Sequence, residues 1–412
     1  MSTEQRRVQL HQPSRTHASS QEDAAERRKE LEEALGISLD AVAHHGLDLD
    51  QVRGRNCENV IGAAQLPLGV AGPLPVTFEG EELQQDVYIP MATTEGTLVA
   101  SVSRGCRAMR EHGVRTALDL HGTTRAPVFT VQNLQEGREF ISWIHEHQED
   151  IRTCMNESDL HIDLVRLDTW QVGRNVFVRF NCESGEAMGM NMVTIAVQHV
   201  INNLITPETG IECTALSGNM CADKKPAAIS FVMGRGRTVH AEALISRNTV
   251  EEVLKTTPEE IVNVWTRKTM VGSVRAGTLG ANAHAANIVA ALFIAAGQDP
   301  AHVVEGSSTI TVAEVVGEDL LFSASVPAML VGTVGGGTSL PTQRACLNLL
   351  GVKPAEGKAG SVETNRLAQI VGAAVLAGEL SLHAALAAQH LAKAHTKFGR
   401  AATPVEEEMP TK

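Results

Sequence analysis

Apolar residues recur at helical spacing in three long stretches of the chain and alternate in several shorter ones. From Thr93 onward, Leu98, Val99, Val102, Cys106 and Met109 share one face of a 3.6-residue period. This predicts a helix with Glu95 in its first turn and Thr93 or Thr94 as N-cap. Ala283 to Ala296 predicts a second helix, stopped by Gly297, and the Ala- and Leu-rich stretch from Asn365 to Ala394 a third, bent or broken near Ala377-Gly378. V-F-V-R-F at 176–180, T-V-H-A-E-A-L-I at 238–245 and D-L-L-F-S-A-S-V from Asp319 to Val326 read as strands, and A-A-I-S-F-V from Ala227 is strand-like. Helices and strands mixed without a regular βαβ rhythm point to an α+β fold. Residues 1 to about 28 carry no sustained apolar period and read as a loose arm, and A-A-T-P-V-E-E-E-M-P-T-K at the end reads as a disordered acidic tail.

Composition narrows the partners. With 412 residues the chain has room for two or three domains, and with 3 % aromatic residues its core must rest on Ala, Val, Leu, Ile and Met. A net charge of -13 argues against nucleic acid as a partner but leaves room for an anionic small ligand at a local positive cluster. The seven cysteines are scattered and without a C-x-x-C pair, as expected of reduced thiols in a cytoplasmic protein rather than disulfides or a zinc site, so no metal is expected. The N-terminus has no apolar signal core, and I-V-A-A-L-F-I-A-A from Ile288 is about half a membrane span, so a soluble protein with no membrane partner is expected.

The standard nucleotide fingerprints are missing. G-T-V-G-G-G-T from Gly332 lacks the G-x-G-x-x-G spacing, and G-V-K-P-A-E-G-K-A from Gly351 is one residue too long between its glycines for a phosphate loop. The three consecutive glycines read either as a tight turn or as a loop whose N–H groups meet an anion. Glu95 reads ordinarily as a first-turn acid complementing the helix dipole. Asp299, ahead of Pro300, reads as an N-cap, yet it also follows the C-terminal end of a long apolar helix, where a negative charge calls for a compensating cation. D-K-K-P-A-A-I-S from Asp223 supplies two candidate lysines, which alone read as a solvated turn or as a partly desolvated charge facing a developing anion. His383, His390 and His395 read as helix-end or surface histidines.

Taken together, these stretches resemble the 3-hydroxy-3-methylglutaryl-coenzyme A reductase family. The matching segments are E-N-V-I-G from Glu58, G-V-A-G-P-L from Gly69, M-A-T-T-E-G-T-L-V-A-S from Met91, A-M-G-M-N-M from Ala187 and S-G-N-M-C-A-D-K-K-P-A-A-I from Ser217. N-A-H-A-A-N-I-V from Asn282, G-Q-D from Gly297, G-T-V-G-G-G-T from Gly332 and A-G-E-L-S-L-x-A-A-L-A-A from Ala377 follow in the family's order. D-K-K-P-A-A and the triple glycine are similar to the biosynthetic, class I-like branch.

The resemblance implies two successive NADPH-dependent hydride transfers to the thioester, ending in mevalonate and free coenzyme A. It implies a large helix-rich substrate domain carrying an inserted, small ferredoxin-like cofactor domain. The corresponding boundaries are an N-terminal arm and small helical domain at 1–57, the large domain at 58–126 and 216–400, the cofactor domain at 127–215 and a tail at 401–412. By motif position Lys224 is the catalytic lysine facing the carbonyl oxygen and Glu95 the proton donor. Asp299 links the two, and His395 protonates the coenzyme A thiolate. Arg125, Ser217, Asp223, Lys225 and Lys268 are implied to hold the hydroxymethylglutaryl part, with His284 and Asn287 bordering it. Glu186, Met188, Gly189, Met190 and Asn191, with Gly335, Gly336, Gly337 and Thr338, are implied to hold NADPH. A homodimer or tetramer with the site between subunits is also implied. Four departures from the family are read: Glu186 stands where Asp is usual, a 2'-phosphate partner is not evident near Asp159 to Asp163, where the animal members carry arginine, Ala401 stands where animal members have the regulatory serine, and the membrane-spanning region of animal members is not expected. A catalytically silent relative would have lost one of the four catalytic positions, and all four are present. The nearer rival is a degradative, NADH-using reductase, against which the two branch-specific motifs count.

Overall fold

In the computed structural model the described residues are 20–159, 161–353 and 361–388. Ten strands join into one connected sheet. They are β1 (Leu68–Thr77), β2 (Gln85–Ala92), β3 (Val114–Arg125), β4 (Val128–Thr130), β5 (Asp163–Val172), β6 (Asn175–Glu183), β7 (Cys213–Ala215), β8 (Gly236–Ile245), β9 (Ile310–Val316) and β10 (Asp319–Met329). The helices used below are α1 (Ser20–Leu35), α2 (Leu98–Ala108), α3 (Leu134–Glu146), α4 (Gln148–Ser158), α5 (Met190–Val200), α6 (Ala228–Met233), α7 (Ala285–Ala295) and α8 (Val362–Ala387).

Strand β3 is shared by two packed halves. Arg115 to Leu120 pair antiparallel with β8, the register shifts at Gly122, and Thr123 to Arg125 then pair with β6. Gly122 is required there: its φ is +79°, and an added Cβ would lie 2.7 Å from the Cys182 backbone N. On one side, β8 alternates buried and exposed residues and β10 buried and half-buried ones, and Val239, Ala241, Leu320 and Phe322 enter a core shared with α2, α7 and α8. On the other side, β4, α3–α4, β5, β6, α5 and β7 run in a β-α-β-β-α-β order, with all-antiparallel strand neighbours β7-β4-β6-β5. Phe129, Phe140, Ile151, Val178 and Val197 form that half's separate core.

Helix α8 runs unbroken through Ala377 and Gly378, where a break is expected from the sequence. Those small residues serve packing instead. A Cβ on Gly105 of α2 would lie 1.9 Å from the Ala377 carbonyl oxygen, and one on Gly378 would lie 2.7 Å from Ile288 Cδ1 of α7. Close helix crossing therefore selects glycine here. Helix α8, and not the Ile288 run, is the apolar helix long enough to cross a membrane by length and composition, yet 83 % of its most apolar window is buried in the fold.

Four other expectations are corrected. Helix α1 already begins at Ser20, inside the stretch read as a loose arm. Helix α2 begins at Leu98, so Glu95 lies in the loop ahead of it, its backbone N–H donating to Thr93 Oγ1 (3.0 Å); Thr97, at φ +76°, holds the N-cap position without a side-chain cap. Ala228–Met233 is a short helix, not a strand: the Ser230 and Phe231 N–H groups bond back to the Ala227 carbonyl, so the backbone is satisfied locally. His383 is fully buried in α8, between the Glu379 carbonyl (2.8 Å) and Thr269 Oγ1 (2.6 Å), and burial holds its pKa below the usual value. His390, His395 and Ala401 lie outside the described residues.

Candidate active site

The loop from Ser217 to Pro226 leads from β7 into α6 and contains three residues in the left-handed region: Asn219 (φ +65°), Ala222 (+55°) and Lys224 (+55°). Lys224 emerges from it with Nζ 2.7 Å from Asp299 Oδ2. Asp299 follows the end of α7 and also caps the short turn Pro300–His302, accepting from the Ala301 N–H at 3.0 Å. The two local readings of this aspartate, N-cap and partner of a cation, therefore coexist, because its two oxygens face different donors. The hydrogen bond that Lys224 donates to Asp299 raises the lysine's pKa above that of a free lysine, and the surrounding carboxylates add to it. Burial pushes Asp299 up, but the Lys224 hydrogen bond, the Ala301 N–H and the nearby His302 outweigh it and hold the carboxyl below its usual range. The result is a fixed ammonium–carboxylate pair at the surface of one chain. Pro226 and Ala228 are exposed and Val232 is 80 % exposed, so the apolar residues after the lysines do not enclose it within a single chain.

Neighbouring residues face elsewhere. Asp223 turns inward, its Oδ1 2.9 Å from Arg235 Nη2, while Lys225 Nζ donates to the Asp223 carbonyl (3.0 Å). Ser217 Oγ lies 3.4 Å from Cys221 Sγ. Arg125, at the end of β3, donates from Nε to Thr194 Oγ1 (2.9 Å).

A second cluster sits at the other end of α7, a helix about 16 Å long. Asn287 Nδ2 donates to Glu95 Oε1 (3.2 Å) and approaches His284 Nδ1 (3.4 Å). The fully buried Glu379 of α8 fixes this end: its oxygens accept from the Ala283 and His284 N–H groups, both at 2.7 Å, and His284 Nε2 contacts the Gly378 carbonyl (2.8 Å). Lys268 is exposed on the Trp265–Gly272 helical segment. Within one chain the acid and the lysine thus occupy opposite ends of α7.

The two cofactor candidates, 147 residues apart, meet. Val334 bridges Ala187, the Thr333 N–H donates to the Glu186 carbonyl (2.8 Å), and Thr123 Oγ1 donates to the Met188 carbonyl (2.7 Å). The Glu186 carboxylate accepts from the Thr364 N–H (2.8 Å), the Glu363 N–H (2.9 Å) and Thr333 Oγ1 (2.7 Å), closing the N-terminus of α8. Gly189 opens α5 at φ +89°, where a Cβ would strike Ser184, and Asn191 lies exposed in its first turn. Gly335 and Gly336 have positive φ with nothing within 4 Å of an added Cβ, and Thr338 Oγ1 closes the turn on the Gly335 carbonyl (2.7 Å). Gly337 packs against Gly297 beside Asp299, which brings the glycine loop next to the lysine–aspartate pair.

Arg235, His302 and Glu305, buried behind that pair, are not singled out by motif or periodicity. The available signals are an arginine between two glycines in G-R-G and an acid within V-V-E-G.

A lysine–carboxylate pair beside an open glycine loop, on an α+β scaffold without a nucleotide fingerprint, is an arrangement suited to carbonyl chemistry, which needs a fixed cation for a developing oxyanion. The sequence profile described as hydroxymethylglutaryl-coenzyme A reductase matches residues 23–400. The chain belongs to that family. It is 47 % identical to the 3-hydroxy-3-methylglutaryl-coenzyme A reductase of Pyrococcus abyssi over 95 % of this chain and 97 % of that protein. It is 45 % identical to the enzyme of the same name from Methanothermobacter thermautotrophicus, over 96 % and 97 %. Its fold is like that of the class II enzyme from Streptococcus pneumoniae, solved bound to NADPH in open conformations, with TM-score 0.64 at 18 % identity, over 88 % of this chain and 96 % of that one.

Proposed function

We propose that this chain is a biosynthetic, class I-like reductase that converts 3-hydroxy-3-methylglutaryl-coenzyme A to mevalonate and free coenzyme A. The observation that carries the chemistry is the Lys224–Asp299 pair at 2.7 Å. Two reductions of a thioester place negative charge twice on the same oxygen, and an ammonium kept charged by its carboxylate stabilises that oxygen at neutral pH. Glu95 donates the proton to it, and His395 protonates the departing thiolate. Arg125, Lys225 and Lys268 attract the substrate's free carboxylate, while Asp223, oriented by Arg235, keeps the lysine loop in place. NADPH supplies the hydride; the A-M-G-M-N-M stretch borders its place, and the open glycines at 335 and 336 leave clearance for it. The β-α-β-β-α-β half is the ferredoxin-like cofactor domain, inserted at 127–215 between the 58–126 and 216–400 parts of the large domain.

Glu95 and Lys224 sit at opposite ends of α7, so the complete site is built across a homodimer, alone or within a tetramer, with Glu95 of one protomer meeting Lys224 of its partner. Seven unpaired thiols fit a cytoplasmic location. The deciding assay follows thioester-dependent oxidation of NADPH and NADH side by side, with Lys224→Ala as control. NADPH oxidation by the unmutated protein and at least a hundredfold loss in the variant are expected. Oxidation of neither cofactor sinks the reading, and preference for NADH moves it to the degradative branch.

A further inference from the structure

Behind the Lys224–Asp299 pair lies a set of buried charges of which the roles above use only Arg235, to orient Asp223. Arg235 is fully buried, and its guanidinium donates to Glu305 Oε1 (2.6 Å), Asp223 Oδ1 (2.9 Å) and Thr124 Oγ1 (2.8 Å) and contacts Met190 Sδ (3.0 Å). Glu305 is 1 % exposed, and the same Oε1 also accepts from the Lys224 backbone N–H (3.1 Å) and lies 2.8 Å from His302 Nδ1. His302 turns its other nitrogen toward Asp299 Oδ2 (3.7 Å) and Asp223 Oδ1 (3.9 Å). Asp223, His302 and Glu305 are close enough together to hold a metal ion, but the Arg235 guanidinium already occupies both carboxylates.

We propose that Glu305, clamped by Arg235 and His302, is a positioning residue that fixes the backbone of Lys224 and so aims its ammonium at Asp299 and at the substrate oxygen beside it. The inference rests on the reductase reading. Lys224 holds a left-handed backbone (φ +55°), which is disfavoured for a residue with a side chain and persists only where its surroundings over-determine it. Glu305 provides that determination: one carboxylate oxygen gathers the Lys224 N–H, the guanidinium and the imidazole, three donors from three separate segments. Relaxation of φ at residue 224 would swing the Cα–Cβ bond and carry Nζ away from Asp299. Through its contact with Met190, Arg235 ties the same set to the cofactor stretch.

The test compares the unmutated enzyme with Glu305→Gln and with His302→Gln, which removes the imidazole donor while leaving the carboxylate and Arg235 in place. For each, kcat, KM for NADPH and the thermal midpoint are measured. The expected result for Glu305→Gln is a kcat lowered about ten- to a hundredfold, as for a displaced catalytic group, with KM for NADPH within about twofold. His302→Gln shows the same split with a smaller fall in kcat, and carries the test if Glu305→Gln does not fold. A folded variant with kcat within about twofold of the unmutated enzyme, or a fall matched by a lost folded fraction, overturns the inference. An unmutated protein that oxidises no NADPH with the thioester overturns the reductase reading instead.

Discussion

At the residue scale, the central object is one ion pair with two directions of perturbation. Asp299 has its carboxyl held low, so its contribution to stability is present above the unfolded value of about 3.9 and is lost as pH falls through the lower folded value. Lys224 is held high, so its contribution is present below about 10.4 and is lost as pH rises through the higher folded value. The stability difference between the unmutated protein and Asp299→Asn is therefore expected to be flat across neutral pH and to shrink below about pH 4. Denaturant unfolding at a series of pH values measures this, and a difference that persists at pH 2 would contradict the pairing. Since the side chains are 43 % and 30 % exposed, solvent screening keeps the neutral-pH difference to about 1 kcal/mol or less. In the proposed reaction the pair's importance is kinetic, because there it places charge where the thioester oxygen develops its own.

At the element scale, α8 organises the site. It buries its length against α2, α7 and the β8–β10 face, and its Glu379 holds the N-terminal end of α7. Its own N-terminus is closed by Glu186 from the cofactor stretch. Close crossing makes Gly105 critical: in Gly105→Ala the new methyl would lie 1.9 Å from a backbone oxygen that cannot yield without moving α8. The substitution is expected to destabilise the protein by about 1–3 kcal/mol or more, read as a lower denaturant midpoint at unchanged slope. An unchanged midpoint would mean that the two helices are less tightly packed. A glycine in a helical pattern reads as a weak point, and only the partner helix shows that it is a contact. The expected break at Ala377-Gly378 fails for the same reason, since small residues there admit neighbours and leave the α8 backbone ladder intact.

At the scale of the whole molecule, the separation of Glu95 from Lys224 along α7 leads to a test of assembly. If each complete site takes Glu95 from one protomer and Lys224 from its partner, mixing two inactive variants, Glu95→Gln and Lys224→Ala, restores activity. Half of randomly exchanged dimers are mixed, and each has one intact site of its two, so recovery approaches about a quarter of the unmutated rate. Refolding the variants together and measuring NADPH oxidation reads this directly; no recovery despite demonstrated subunit exchange would place both residues in one protomer's site. Exposed Val232, Val271 and Val274, at 80 %, 62 % and 78 %, supply apolar surface of the kind such an interface covers.

The sequence alone determined the α+β class, the three principal strands, the end of α7 at Gly297 and the need of Asp299 for a cation, because period, glycine and dipole arguments are local. Its motifs carry the family resemblance at the lysine loop and at the glycine loop. Only the tertiary structure decided that Glu95 precedes its helix, that A-A-I-S-F-V coils into a turn of helix, and that His383 is buried. Only it revealed Arg235, His302 and Glu305 as a unit. Their meeting depends on three segments separated by up to 81 residues, and a contact of that range leaves no period or spacing in the chain to read.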